Sequence, residues 1–149
     1  MGEAPAANGG ETGILVKAFL LDTNQWIFLL KGKSPVLAKK LDGIDPAEVR
    51  LCSVVKEELY YGAYRHANRE ARIGLLHEIF SRHASADFDD AAAEQAGRLR
   101  GELDGKGEPI GPHDLQIAAI ALVRDWTLVT SKAREFQRIP GLHLEDWTR

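Results

Sequence analysis

Phe19-Leu20-Leu21-Asp22-Thr23-Asn24 decides how the rest of this chain is read. Three apolar residues, too few for a helix and apolar enough for a buried strand, end on a carboxylate and then on two residue types that start helices. Open α/β sheets gather ligands and chemistry where strands end and helices begin. Asp22 therefore stands where a catalytic acid would stand, and the flanking sequence is read for other acids that arrive at the same place.

Working outward, Trp26, Ile27, Leu29 and Leu30 form a helical stripe that Lys31-Gly32-Lys33 stops. Ser34 then caps a second helix with Pro35 at its first position. Residues 49–53 read as a short buried strand, and 54–64 as a helix carrying Glu57, Glu58, Tyr60 and Tyr61. A further helix over about 68–81 bears Arg69 and Arg72, and a short strand is expected within 83–88. Asp89 or Asp90 caps an Ala-rich helix that runs to about residue 104. After the turn Gly105-Lys106-Gly107-Glu108-Pro109, a helix is expected from Asp114 to about residue 124. A buried strand follows over 126–130, then a short helical or irregular segment over 131–136 and a last strand over 142–145. Strands alternating with helices give an α/β domain with a mostly parallel sheet.

The 149 residues suit one domain, and 44% apolar with 28% charged residues describes a globular chain rather than a disordered one. The longest apolar run, 117–123, is far too short to cross a bilayer, so no membrane partner is expected. The first residues lack periodicity, and residues 1–17 are expected to form a flexible tail ahead of a domain spanning 18–149. They also lack the features of a secretory signal, which leads to a cytoplasmic expectation. The single cysteine, Cys52, fits a reducing compartment and reads as a small buried hydrophobe. A net charge of −3 excludes a protein that coats nucleic acid by bulk electrostatics. It leaves open an enzyme that touches phosphate through a metal ion.

Two further acids are out of place. Asp114 opens a helix whose apolar positions include Ile117, Ala118 and Ala121, so its side chain lies along the buried face; it reads either as a helix cap or as a site residue. Glu58 sits mid-helix with Val54, Val55, Tyr61 and Gly62 three and four residues away, which is costly unless something pairs with it; it reads either as a solvated helix-edge residue or as a site residue. Glu57 points to the solvent side. Three ionised carboxylates brought together repel by about 4 kcal/mol per pair at about 4 Å and an effective dielectric of about 20. A site that holds them needs a cation or protons. Magnesium prefers oxygen ligands and can generate a nucleophile from water while stabilising charge on a phosphoryl oxygen. The five histidines show no metal spacing, and His113 reads as a loop residue beside a cap. No Gly-rich phosphate loop, serine elbow or CxxC is present.

Four segments, LLDTNQWI at 20–27, CSVVKEELYYGA at 52–63, RGELDGKGEPIGPHDLQIAAIAL at 100–122 and TLVTSKAREFQRIPGLHLEDW at 127–147, occur in family order and spacing. On these the chain resembles the PIN-domain endoribonucleases, and within them the VapC toxins of toxin–antitoxin pairs. The resemblance implies a three-layer domain, a five-stranded mostly parallel sheet with helices on both faces, and an acidic pocket at the strand ends that binds Mg2+ or Mn2+. It assigns Asp22, Glu58 and Asp114 as the metal-holding catalytic acids. Thr23, Asn24 and Thr130 match supporting polar positions of the pocket. It further implies an RNA substrate, a VapB-like antitoxin whose tail blocks the pocket, and a homodimer.

One position departs from the pattern: after Leu128-Val129-Thr130-Ser131, Lys132 stands where the family carries Asn or Asp. Its ammonium either competes with a metal or points outward to hold substrate phosphate, and Ser131 takes over the polar role by a one-residue shift. Arg69, Arg72, Lys132 and Arg134 are the candidates for RNA backbone contacts, and Tyr60, Tyr61 and Tyr64 for a partner surface. The expectation is thus a Mg2+-dependent endoribonuclease. The rival readings are a binding module with a spoiled metal site and a phosphotransferase of the haloacid-dehalogenase kind. The latter needs an Asp where this chain has Asn24.

Overall fold

Strand β1 (Phe19–Leu21) is buried along its whole length, with a parallel strand on each side of it. This is why it reads as a continuous apolar run rather than an alternating one. The structure, a computed structural model, describes residues 17–149, so the expected tail lies outside the described residues except for Lys17. From β1 the chain passes through α1 (Thr23–Leu30) and α2 (Pro35–Asp42) to β2 (Val49–Cys52). It continues through α3 (Ser53–Tyr64) and α4 (Arg69–Phe80) to β3 (Ser85–Ala86). Helices α5 (Asp90–Gly105) and α6 (Pro112–Arg124) then return it to β4 (Thr127–Val129), and α7 (Ala133–Phe136) leads to β5 (Leu144–Glu145).

The sheet order is β3-β2-β1-β4-β5, and every pairing is parallel. The expected mostly parallel sheet is therefore wholly parallel, because a helical crossover separates each strand from the next. Right-handed crossovers place α1–α4 on one face and α5–α7 on the other. The chain leaves β1 toward one edge and leaves β4 toward the opposite edge. The carboxyl ends of these two neighbours therefore form the topological switch point, where such sheets leave a crevice.

The core joins Leu20, Leu21, Leu51, Leu128 and Val129 of the sheet to Leu37, Val55, Leu76, Leu99, Ile117, Ile120 and Phe136 of the helices. Cys52 is buried too, and that burial pushes its thiol up to about 11, as suits a packing residue rather than a nucleophile. Local chemistry starts the helices where the sequence indicates: Ser34 caps α2 with Pro35 following it, and Asp89 caps α5. Helix α6 differs. Its cap is Gly111 and it begins at Pro112, so Asp114 is a first-turn residue and not the residue that opens the helix. Proline has no N–H to satisfy and its fixed φ suits the first helical position, so the helix starts two residues early. The edge strands β3 and β5 are only two residues each, shorter than expected.

Candidate active site

Asp22 leaves β1 at the switch point and at once becomes the N-cap of α1, its Oδ1 accepting from the Gln25 amide at 3.2 Å. Its other oxygen accepts from Thr130 Oγ1 at 2.5 Å, at the end of the neighbouring strand β4. The backbone repeats the link, since the Asp22 N–H donates to the Val129 carbonyl at 3.0 Å. Asp22 is 2% exposed and Thr130 is fully buried. Burial pushes the Asp22 carboxyl above its ordinary 3.8. The Thr130 hydroxyl, the Gln25 amide and the Lys132 charge oppose that rise, whereas the nearby Asp114 charge adds to it.

Thr130 also accepts, at Oγ1, from the Lys132 backbone N–H at 2.9 Å. This fixes the segment after β4, and the Lys132 ammonium reaches across to Asp114 Oδ2 at 3.1 Å. Partial burial pulls that ammonium down, but the hydrogen bond and charge of Asp114, with Asp22 and Glu135 behind it, hold it above the usual lysine value. Asp114 stands in the first turn of α6, where the helix dipole also favours a negative charge. Asp22, Thr130, Lys132 and Asp114 are thus one connected group.

Glu58 reaches this group from α3. Its two oxygens accept from Thr23 Oγ1, directly after Asp22, and from His113 Nδ1 at 3.0 Å, directly before Asp114. The expense of a mid-helix carboxylate is met by these two partners. Glu57 faces solvent as expected, with His113 Nε2 3.8 Å away. His113 is therefore no loop residue; it belongs to the first turn of α6 and ties Glu58 to the Asp114 side. Gln25, which the sequence reading passed over, is fully buried, and its Nε2 donates to Ser131 Oγ at 3.3 Å. Its spacing of three residues from the cap was the available signal. Gln25 Oε1 has no partner among the described residues.

Asn24 is half-buried on the first turn of α1. Arg69 and Arg72 start α4, where Arg69 donates to the Tyr64 carbonyl at 3.0 Å and Arg72 lies 3.3 Å from His66. Arg134 is exposed on α7. None of these three arginines is hydrogen-bonded to the acids among the described residues. Tyr60 packs edge-on against Phe80 inside the fold, whereas Tyr61 and Tyr64 are exposed.

Among the described residues no three His, Cys, Asp or Glu side chains already converge as a metal site. What the group offers is hard oxygen donors: Asp22 and Asp114 within reach of each other's charge, and Glu58 one hydrogen bond removed through Thr23. That donor chemistry suits an ion such as Mg2+, which takes few carboxylates and keeps several waters. Lys132 places its ammonium against these acids, on Asp114.

A family model described as "PIN domain" matches residues 19–142. The chain is 37% identical over 129 residues to the tRNA(fMet)-specific endonuclease VapC of Salmonella typhimurium, covering 87% of this chain and 97% of that one. It is 38% identical over 130 residues to the protein of the same name from Shigella flexneri, covering 87% and 98%. Among solved structures, the DNA-bound VapBC of Salmonella typhimurium superposes with a TM-score of 0.81 at 37% identity, over 88% of this chain and 98% of the matched chain. VapBC-1 from nontypeable Haemophilus influenzae gives 0.79 at 30%, over 89% and 99%.

Proposed function

From the premise that this chain belongs to the PIN-domain family, and within it to the VapC group, we propose that it is a divalent-metal-dependent endoribonuclease acting as the toxin of a toxin–antitoxin pair. The observation that carries the proposal is the junction at the β1/β4 switch point, where Asp22, Thr130, Lys132 and Asp114 form one hydrogen-bonded group with Glu58 beside it. Asp22, Asp114 and Glu58 would hold the ion, Mg2+ or Mn2+. A bound ion would supply activation of water and neutralisation of charge on the phosphodiester.

The chain's own residues would do the rest. Thr130 fixes the rotamer of Asp22 by donating to one oxygen while the α1 amide holds the other. Thr23 and His113 hold Glu58 toward the crevice rather than toward solvent. Arg69, Arg72 and Arg134, exposed or half-exposed, are proposed to meet RNA phosphates away from the acids. A VapB-like antitoxin is proposed as the partner, because the matched structures are VapBC assemblies, and a second copy of this chain as the other. A binding module without catalysis is the second reading, favoured only by the lysine placed against Asp114.

Cleavage of purified RNA tests the proposal. Initiator transfer RNA is the first probe, since two relatives carry that specificity in their names. Cleavage is expected with Mg2+, absent in chelator, and reduced in Asp22→Asn by more than the ~100-fold that loss of an outer-shell metal partner can cost. Cleavage that survives both chelator and Asp22→Asn overturns the assignment. Intact RNA with tight RNA binding would favour the binding module.

A further inference from the structure

Lys132 stands where the resemblance leads one to expect Asn or Asp, and its charge has the wrong sign for a metal ligand. Lys132 has the freedom of a long side chain, about one-third exposed, and could extend into water. Instead its ammonium is directed inward onto Asp114 Oδ2 at 3.1 Å. The segment that presents it is held at two points: the Lys132 N–H on Thr130 Oγ1 at 2.9 Å, and the neighbouring Ser131 Oγ on buried Gln25 at 3.3 Å.

We propose that the Lys132 ammonium permanently occupies one cation position of the pocket, so that the protein holds one divalent ion fewer than its acids alone would accept. The inference rests on the metal-dependent reading given above. Charge supports it. Counting formal charges of the three acids and the lysine alone, Asp22, Glu58 and Asp114 together with Lys132 leave two negative charges, the number that a single divalent ion neutralises. A neutral residue at 132 would leave three, and an acid there four, enough for a second ion. The lysine also repels any ion that approaches from the Asp114 Oδ2 side, at short range and in a partly desolvated crevice where screening is weak. Lys132 in this account is a positioning residue for Asp114 and a resident cation, not a metal ligand.

The experiment is a titration of metal-free protein with Mn2+, following the electron paramagnetic resonance signal of unbound ion, in the absence of RNA. Wild type, Lys132→Asn, Lys132→Arg and Asp22→Asn are compared, each checked by circular dichroism melting to be folded. Wild type is expected to bind one ion per chain. Lys132→Asn should bind a second ion, or the first at least ~10-fold more tightly, the scale on which neighbouring groups tune metal affinity. Lys132→Arg, which keeps the charge, should match wild type. The inference is overturned if Lys132→Asn equals wild type in number and affinity, if wild type takes two ions, or if Lys132→Arg behaves as Lys132→Asn does. Its fate separates from that of the metal-dependent reading: an ion bound by wild type and lost in Asp22→Asn, yet indifferent to position 132, sinks the inference alone. A wild type that binds none while Lys132→Asn binds one upholds the lysine's role and removes the metal from the native protein's chemistry.

Discussion

Replacing Asp22 by asparagine separates what this side chain does for the fold from what it would do for a reaction. Burial raises its pKa above 3.8 in the folded protein, so between 3.8 and the folded value the native state binds more protons than the unfolded chain. Stability of the metal-free protein must therefore fall as pH rises through that window, and the destabilisation persists above it. Urea midpoints measured from pH 3.5 upward should show this slope in the wild type and lose it in Asp22→Asn. Thr130→Val makes the opposite point. It removes a buried hydroxyl that donates to Asp22 and accepts from Lys132, leaving both partners short, and should lower stability by about 1–3 kcal/mol in thermal melts. The anomaly of Glu58 and the position of Asp22 were legible because each violates a local rule: a carboxylate on an apolar helix stripe, and a carboxylate at the end of a buried strand. Gln25 and His113 violate none. Their partners, Ser131 and Glu58, lie 106 and 55 residues away in sequence, and only the sheet brings them together.

Helix ends were the most readable elements, since a cap needs only its own four residues. Ser34 and Asp89 do as their side chains dictate, and Ser34→Ala should cost about 1 kcal/mol by removing the acceptor for the Leu37 amide, a loss visible as a lowered urea midpoint. Helix α6 was misread at its start because an aspartate is a better cap than glycine by propensity; Pro112, which fits only the first turn, settles the matter. Its far end carries the one described non-glycine residue with positive φ, Asp125 at 56°. Asp125→Gly should relieve this left-handed conformation and raise stability by up to about 1 kcal/mol, a gain of roughly 2–4 °C in melting temperature. The pairing lost with His143 is 3.5 Å long and exposed, so it offsets little. The edge strands were harder to bound. A two-residue strand such as β5 is defined by its partner's backbone rather than by its own side chains.

Across the molecule, the alternation of apolar strands with helices was enough for an α/β sheet, and parallel pairing followed from the long returns. Strand order was not readable from periodicity, which carries no information about which strand lies beside which. The centre of the sheet should also be its energetic centre: Leu20→Ala, at a fully buried position of β1, should cost about 2–5 kcal/mol. That is a large part of the ~5–15 kcal/mol expected of a domain, and denaturant unfolding should stay a single transition with an unchanged slope. The adjacency of β1 and β4 has one more consequence, in time rather than space. Asp22 and Thr130 touch across 108 residues of chain, so a ribosome adding ~5–20 residues per second delivers the second wall of the crevice roughly 5–20 s after the first. A nascent chain halted before β4 exposes Asp22 without the strand that orients it. The crevice therefore exists only once synthesis is nearly complete, and a chain cut short of β4 carries its acids without it.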